Sequence, residues 1–305
     1  MKAISITAMI FAVATVVAGD FDFIHTSPGE LIRHKHFAFS YSEEHELALW
    51  VAYELTAEEL QGHEERTDNY RSDPAILTDT AANSDYKRSG YDRGHLAPAA
   101  DMRFSAQAMS ESFYHSNLTP QAPAFNRGIW LYLEKHVRIW AKEYGSVYVA
   151  TGPIIEPARG TIGSNSVTVP WGYYKAVMRK DGDTWRVVAL ALPNERGSKP
   201  LGAHAVTVDD LEERTGIDFF PALPDDIEDR IESRVDDSWP FKGGKRFASA
   251  GTQGTKDKAP QTAELTHWLT KSSKKRHNSS CRYFRQSNGR PCGANTGIAC
   301  KSCGG

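Results

Sequence analysis

The sequence predicts an α+β fold, in which a mainly antiparallel sheet is flanked by helices and a small cysteine-containing module follows at the C-terminus. Short apolar runs of strand character recur along the chain, and two consecutive runs are joined through Asp181-Gly182, a dipeptide that favours a tight hairpin. One long pattern with helical spacing lies among the strand runs. This mixture is typical of the α+β class.

The strand runs define the predicted sheet. Leu47 to Leu55 is too apolar for both of its faces to contact water, so it is expected to lie inside the sheet. The polar stretch that follows, Thr56 to Asp85, is rich in turn-forming residues and predicts irregular structure. The runs that predict strands are Phe37–Ser40, Leu47–Leu55, Ser146–Thr151, Tyr173–Arg179 and Trp185–Leu192.

Helical patterns occur at three places. Phe104 to Phe113 predicts a short helix, and Phe125 to Tyr144 predicts a long one that carries an apolar stripe and ends at Gly145. Farther along, Val206 to Phe220 predicts a strand end, a short helix capped by Gly216 and an aromatic plug.

Composition divides the chain into four regions. Residues 1–19 have a basic start, an apolar run and small residues at Ala18-Gly19, which predicts a secretory signal peptide. That run is shorter than the roughly 20 residues of a bilayer span and no later run is longer, so no membrane anchor is predicted. Residues 20–242 form the main domain, residues 243–262 lack large apolar side chains and predict a linker, and residues 263–305 form a basic module. The expected location is secreted or periplasmic.

The C-terminal module contains every cysteine of the chain and no acidic residue from position 271 onward, although the formal net charge of the whole chain is -2. Its charge would attract polyphosphate, or it is simply a solvated end. A small unit with little apolar mass needs either two disulfides or a structural Zn²⁺ ion. Export favours disulfides, because an exported chain meets an oxidant early. The cysteines are Cys281, Cys292, Cys300 and Cys303.

The strongest chemical signal is the stretch Tyr91-Asp-Arg-Gly-His-Leu-Ala-Pro98. If this stretch is extended, Arg93 and His95 point to the same side, while Gly94 allows a close approach from behind. A cation would then lie beside a proton acceptor.

A second signal lies in the predicted long helix. Asn126, Trp130 and Glu134 are four residues apart and form one slowly rotating row on a helix. An amide and a carboxylate on one face suit Mg²⁺, which takes few protein oxygens and keeps several waters. Together with the arginine and histidine, a magnesium site indicates phosphodiester hydrolysis.

At these residues the chain resembles the sugar-non-specific DNA/RNA endonucleases with a ββα-metal, or His-Me finger, site. The resemblance runs from about Phe37 to Phe220. It rests on three motifs in order: D-R-G-H at Asp92 to His95, S-N-x-x-P-Q at Ser116 to Gln121, and N-x-x-x-W-x-x-L-E at Asn126 to Glu134. The resemblance implies that residues 20–242 are an endonuclease domain with a ββα-metal site.

The resemblance and the chemistry of the side chains assign roles to three residues. His95 is the expected general base, since a neutral imidazole with an ordinary pKa of about 6.5 accepts a proton near pH 7. Asn126 is the expected direct ligand of Mg²⁺, with Mn²⁺ as a substitute, and Glu134 is expected to hold metal-bound waters. Taken alone, these residues would be a packed strand histidine, a helix N-cap and an exposed helix acid paired with Lys135 or Arg138.

Arginines and supporting side chains complete the expected site. Arg93 would contact the phosphate, or else pair with Asp92 or Asp101. The family has a further arginine upstream of D-R-G-H, and this chain has Asp68 at that place, which leaves Arg66 and Arg71 as candidates for the second phosphate contact. The residues expected to support the site are Asn117, Gln121 and Asp92.

Low sequence specificity is expected, because no recognition helix, zinc-finger array or paired aromatic platform that would read bases is evident. DNA and RNA are both expected substrates. Two alternatives stay open: a nucleic-acid-binding protein on the same fold that does not cut, and a hydrolase of another phosphodiester. Whether the protein forms a homodimer, and whether an inhibitor protein binds it, are left open by the sequence.

Overall fold

The computed structural model describes residues 24–26, 29–78, 80–241, 267–270, 275–278, 289–292 and 298–299. The chain divides into two compact units, residues 1–249 and residues 250–305. The predicted signal peptide, residues 1–19, lies outside the described residues, as does the whole of the predicted linker, residues 243–262. Those two predictions therefore stay predictions.

A seven-stranded sheet forms the centre of the first unit, and all of its neighbouring strands are antiparallel. The prediction of a mainly antiparallel sheet with helices is confirmed. The predicted strands are all present, most of them a few residues longer than expected. In spatial order the strands are Ala205–Val206, Thr184–Pro193, Gly172–Asp181, Ser146–Ile154, Leu47–Thr56, Ala38–Ser42 and Glu30–Arg33.

The two faces of this sheet bury separate apolar cores, because successive side chains of a strand point to opposite faces. In strand Gly172–Asp181, Tyr173 and Val177 belong to one core, and Tyr174 and Met178 belong to the other. Helix Leu131–Tyr144 packs on the first face, and helices Val208–Thr215 and Asp225–Glu232 pack on the second. The candidate site lies on the first face.

Local capping explains where several elements begin and end. Helix Val208–Thr215 begins after Thr207, whose hydroxyl accepts a hydrogen bond from the Asp210 N–H. It ends at Gly216 in the left-handed region, as the sequence predicts. The turn at Asp181-Gly182 is also confirmed, since the register pairs Asp181 with Thr184.

The remaining elements of the first unit are short. The expected helix from Phe104 to Phe113 covers only Ala106–Glu111, because the Ser105 hydroxyl accepts from the Ala108 N–H and fixes a later start. Other helical segments are Glu59–Gln61, Asn83–Tyr86, His115–Asn117 and Leu201–His204. Three two-stranded sheets pair Ile24–Thr26 with Asp218–Phe219, Asp92–His95 with Leu118–Gln121, and Thr161–Ile162 with Val167–Thr168.

The predicted single helix from Phe125 to Tyr144 is wrong at its start. Phe125–Trp130 is a π-helical segment with a non-helical backbone at Gly128, and the regular helix is Leu131–Tyr144. Asn126 and Glu134 therefore do not lie in one straight row, which corrects the expectation from their spacing. A glycine permits the irregular backbone, and such insertions are frequent at functional sites.

The second unit contains a four-stranded sheet. For this unit the structure describes the strands but not their side chains, and this includes the side chain of Cys292. Cys281, Cys300 and Cys303 lie outside the described residues. The choice between disulfides and zinc stays a prediction. In spatial order the strands are Gly289–Cys292, His267–Thr270, Lys275–Asn278 and Ile298–Ala299.

No helix within the described part of the chain combines the length and the apolar character that crossing a bilayer requires.

Candidate active site

The D-R-G-H motif lies in a two-stranded antiparallel sheet, here called the site ribbon, formed by Asp92–His95 and Leu118–Gln121. The register pairs Asp92 with Gln121 and His95 with Leu118. Helix Leu131–Tyr144, here called the site helix, follows the ribbon in the chain and carries Glu134 in its first turn. The order of two strands and a helix is the arrangement that the motifs imply.

Gly94 is required by a close approach within the site ribbon. A Cβ atom at this position would overlap the side chain of Gln121. Gln121 is itself fully buried, and both polar atoms of its amide lack a hydrogen-bond partner among the described residues. The expectation that Gly94 admits a neighbouring group is confirmed, and that group is the Gln121 amide.

Replacing Gly94 with alanine is expected to lower the free energy of unfolding by about 1–3 kcal/mol, the usual cost of overpacking. Adding Gln121→Ala removes the obstacle, so the double variant should lose less stability than the sum of the two single changes. Urea denaturation of the four proteins measures this coupling. Strict additivity would show that the two side chains do not compete for the same space.

His95 is enclosed by aromatic rings. Its ring meets Phe113 edge to face at 5.1 Å and lies 6.3 Å from the ring of Tyr70. The Nε2 atom is buried and has no hydrogen-bond partner among the described residues. A buried ring nitrogen without a partner is costly unless another group binds it, so the alternative of an ordinary packed histidine explains this site poorly.

The surroundings of His95 favour the neutral imidazole. Burial, together with the nearby cations Arg66 and Arg93, lowers the pKa of His95 to about 3, and Asp68 opposes this shift. The ring therefore stays unprotonated at neutral pH. An unprotonated imidazole is the form that accepts a proton.

Asn126 is oriented by Asp92 across the start of the site ribbon. The Asn126 Nδ2 donates to Asp92 at 3.0 Å, and Arg127 donates to both oxygens of the same carboxylate at 2.8 and 2.6 Å. Since the amide nitrogen is engaged, the amide oxygen is the atom left to bind a cation. Asn126 is not the N-cap of the segment, because that position is Ala124.

Arg93 lies on the same side of the ribbon as His95. Its guanidinium lies 3.9 Å from the centre of the Tyr70 ring and donates to Asn83 Oδ1 at 2.5 Å. The alternative of an ion pair with Asp92 or Asp101 is wrong. Tyr70 contacts both Arg93 and His95, and no sequence signal singled it out.

The two upstream arginines, Arg66 and Arg71, have different surroundings in the structure. Arg66 lies 4.8 Å from the centre of the Phe113 ring that also contacts His95, and its charge acts on both His95 and Glu134. Its other contacts are Asp68 at 2.7 Å and the Tyr70 hydroxyl at 3.0 Å.

The side chain of Arg71 is held by contacts with residues other than His95. It donates to the Asn69 carbonyl and to two oxygens of Ser110, and its guanidinium lies 4.1 Å from the centre of the Tyr114 ring. Because these contacts fix Arg71 in the loop, Arg66 is the better placed of the two for a ligand at His95.

Glu134 is buried, with 8% of its surface exposed, so the alternative of an exposed helix acid is wrong. Burial raises the pKa of Glu134, and the ammonium of Lys175 opposes that rise. Lys175 is also fully buried, and burial lowers its pKa. The two groups, one on the site helix and one on the central sheet, are both buried and act on each other through their charges.

Lys175 was missed by the sequence analysis. Its Nζ donates to the carbonyl of Leu96, the residue after His95, at 3.2 Å and to Thr151 Oγ1 at 3.1 Å. The signal was available, because Lys175 alternates with Tyr173 and Val177 on the core-facing side of its strand. A lysine at such a position needs polar partners.

A second missed group joins the site helix to the loop after His95. Arg138 donates to Asp101 at 2.6 Å, and the Tyr53 hydroxyl donates to the same carboxylate at 2.8 Å. Asp101 is almost fully buried. This contact fixes Arg138 one turn beyond Glu134 on the helix.

Asn117 clamps the chain that leaves His95, as expected for a supporting residue. Its amide oxygen accepts from the Ala97 N–H at 2.9 Å, and its amide nitrogen donates to the carbonyls of Ala97 and Ser112 at 2.9 and 2.8 Å. All of its hydrogen bonds go to backbone, so its effect on the site is to fix the loop.

These residues fit a hard divalent cation. The Asn126 amide oxygen and the Glu134 carboxylate are oxygen donors of the kind that Mg²⁺ prefers. No thiolate is among the described side chains near the site. The donor set therefore matches magnesium or manganese better than a soft metal.

Comparison with known proteins identifies relatives over most of the first unit. A family model described as DNA/RNA non-specific endonuclease matches residues 22–226. The mitochondrial nuclease EXOG of Danio rerio is 37% identical over 205 residues, which cover 60% of this chain and 59% of that protein. Nuclease C1 of Cunninghamella echinulata var. echinulata is 34% identical over 213 residues, covering 64% of this chain and 84% of that protein.

One further relative and one solved structure also match this chain. Mitochondrial endonuclease G of Homo sapiens is 36% identical over 191 residues, which cover 58% of this chain and 64% of that protein. The match thus spans somewhat less than two thirds of the EXOG and endonuclease G relatives. Among solved structures, the crystal structure of the EndoG/EndoGI complex aligns with a TM-score of 0.62 and 30% identity, covering 66% of this chain and 89% of that chain.

Proposed function

Because the chain belongs to the DNA/RNA non-specific endonuclease family, we propose that it is a metal-dependent endonuclease that hydrolyses phosphodiester bonds of DNA and RNA with little sequence specificity. The observation that carries this proposal is the surroundings of His95. A neutral imidazole with an enclosed, unpartnered Nε2 lies beside two arginine cations. That combination provides a proton acceptor next to groups that bind phosphate.

His95 is the proposed general base. Burial keeps the ring unprotonated, so it has a free lone pair for the proton of the attacking water, while the low pKa reduces the driving force for that transfer. The ring is held by contacts with Phe113 and Tyr70, and the backbone after it is fixed by Asn117 and Lys175. These contacts limit rotation of the base relative to the phosphate.

Arg93 and Arg66 are the proposed phosphate contacts. Both guanidinium groups lie near His95, and a planar guanidinium can donate two parallel hydrogen bonds to a phosphate. Arg93 is supported by Tyr70 and Asn83, and Arg66 by Tyr70 and Phe113. Substrate phosphate would replace part of the interaction of Arg66 with Asp68.

Asn126 would hold a magnesium ion directly and Glu134 would hold its waters. When bound, such an ion would neutralise charge that develops on the phosphate and on the leaving oxygen. Asp92 and Arg127 keep the Asn126 amide oriented, and Lys175 and Arg138 balance the charge of Glu134. Manganese is expected to substitute, since it accepts the same oxygen donors.

Contacts to phosphate carry no base information, which supports low specificity. A protein that only binds nucleic acid needs neither a base nor a metal ligand, so the retained His95, Asn126 and Glu134 favour cleavage over the non-cleaving alternative. We also propose export, on the basis of the apolar N-terminal sequence alone, and an inhibitor partner, because the relative named EndoG was solved with EndoGI.

Purified protein is expected to cut both supercoiled plasmid and a single-stranded RNA in the presence of Mg²⁺. A chelator should abolish both activities, and added Mg²⁺ or Mn²⁺ should restore them. Gel electrophoresis of the products over time measures the cleavage. Cutting that persists in excess chelator would contradict the metal-dependent mechanism, and failure to cut either polymer would contradict the function.

A further inference from the structure

A basic groove lies beside the candidate site on the site helix. It encloses about 440 Å³ and has four cationic side chains and no acidic side chain in its lining. Its residues are Leu60, Gly62, Ala100, Arg103, Lys135, Arg138, Ile139 and Lys142.

The cations of this groove form a row along one helix face. Lys135, Arg138 and Lys142 are three and four residues apart, so they lie on the same side of the site helix. From Lys135 to Lys142 the helix rises about 10 Å. A row of this length can contact more than one phosphate of a nucleic-acid strand.

The two lysines of the row are available to a ligand. Lys135 and Lys142 are exposed, and in the described part of the chain neither forms an ion pair. Arg103 is also exposed, and its guanidinium donates to the carbonyls of His63 and Glu64. No carboxylate of the described residues forms an ion pair with it. Arg138 is the one cation of the groove that pairs with a carboxylate of the described residues, Asp101.

The wall of the groove opposite the site helix is formed by two backbone segments that pack closely on each other, at Gly62 and at Arg103. A Cβ atom at Gly62 would overlap the backbone of Arg103 and Phe104, so the loop at Gly62 packs directly on the segment that follows His95. The Glu64 N–H also donates to the Arg103 carbonyl at 2.9 Å. The groove is therefore preformed, and its apolar floor of Leu60, Ala100 and Ile139 can contact sugars.

Arg138 connects the groove to the site. It lines the groove, and its charge acts on Glu134 one helical turn away. A strand bound at the candidate site can thus continue along the cationic row, because the lining of the groove contains no acidic side chain.

We propose that the basic groove binds the phosphates of the substrate strand that flank the scissile phosphate on one side. This inference rests on the proposed function, because it assigns the groove to the substrate of that site. The occupant is the sugar-phosphate backbone of a single nucleic-acid strand, contacted through charge and apolar surface rather than through bases.

The test compares a groove variant with a control of equal charge change. The groove variant is Lys135→Gln/Lys142→Gln, and the control is Lys180→Gln/Arg230→Gln, which removes two exposed cations outside the groove. Neither pair belongs to the proposed catalytic machinery. The basic C-terminal residues are identical in all proteins, so differences report on the changed positions.

Binding of a fluorescein-labelled 12-nucleotide single strand is measured in chelator by anisotropy at several salt concentrations. The slope of log K against log salt should be shallower by about 1.4 in the groove variant, since each lost phosphate contact on a single strand contributes about 0.7. The control should keep the wild-type slope. Equal slopes in the wild type and the groove variant, or an equal change in the control, would overturn the proposal.

Cleavage separates this inference from the proposed function. With Mg²⁺, the groove variant should lose kcat/KM on the 12-nucleotide strand and keep the wild-type value on a dinucleotide, whose single phosphodiester cannot reach the groove. Absence of cleavage by the wild type would count against the proposed function, while the binding slopes still test the groove. Equal loss on both substrates would overturn the proposal.

Discussion

Replacing His95 with alanine is expected to lower kcat for plasmid cleavage by about 10²–10⁴-fold, the usual contribution of a positioned general base. The physical reason is that the ring is neutral, lies beside two cations and has no structural hydrogen bond through Nε2 among the described residues. Binding should change little, because Arg93 and Arg66 retain their contacts. Initial rates with Mg²⁺ and anisotropy in chelator measure the two effects separately.

A matched control is available in His45, whose Nδ1 lies 3.2 Å from Thr168 Oγ1 in a structural contact. His45→Ala should keep wild-type kcat. A His95→Ala protein with more than about a tenth of wild-type kcat would contradict the role of the base, since even the low end of the expected range is larger.

The pH dependence of stability also reports on His95. The unfolded chain binds a proton at this ring near the ordinary pKa of about 6.5, whereas the folded protein holds the pKa at about 3. The unfolded state therefore binds more protons in this window, and stability should fall as pH decreases from about 6.5 toward 3. His95→Ala should show a shallower fall in urea denaturation. An identical pH dependence would show that the ring titrates normally.

Asn126→Ala is expected to have the second large effect, a loss of about 10³-fold in kcat at low Mg²⁺, because several kcal/mol of charge stabilisation depends on the ion. The loss should shrink as Mg²⁺ or Mn²⁺ is raised, since the remaining oxygen donors still bind weakly. Titrating each metal against the initial rate measures the change in apparent affinity. A loss that no metal concentration reduces would argue that Asn126 does not bind the ion.

Two neighbours of Asn126 provide a graded control. Asp92→Ala should cost about 10–100-fold in activity or metal affinity, the usual effect of removing a group that orients a ligand. Arg127→Ala should cost much less, because its side chain is 72% exposed and only contacts the outer side of Asp92. If Arg127→Ala were as damaging as Asn126→Ala, the arginine itself would have to contact the substrate.

The sequence predicted the sheet well because local patterns decide strands and turns. Leu47–Thr56 is apolar on both faces, and the Asp181-Gly182 turn fixes the register of its hairpin. The start of the site helix was predicted wrongly, because helical spacing continues through Asn126 while the backbone departs from it at Gly128. A glycine permits this backbone without revealing it in the pattern.

Contacts between segments that are distant in the chain could not be predicted from the sequence. Glu134 looked like a surface acid from its helical neighbours, yet it is buried, and the charge of Lys175, from a strand far along the chain, acts on it. The choice between Arg66 and Arg71 was open for the same reason. Only the packing of the loop against Ser110 and Phe113 shows that Arg71 is occupied and that Arg66 lies near His95.

By itself, the sequence determined the chemistry available to this protein: a histidine, arginines, an amide and an acid in three ordered motifs, on an antiparallel sheet with a following helix. The tertiary structure decided the state of those groups. Burial and neighbouring charge are set by segments far apart in the chain. They keep His95 neutral and subject the buried Glu134 to the charge of Lys175. Side-chain identity is local, whereas solvation and electric field depend on everything packed around a group.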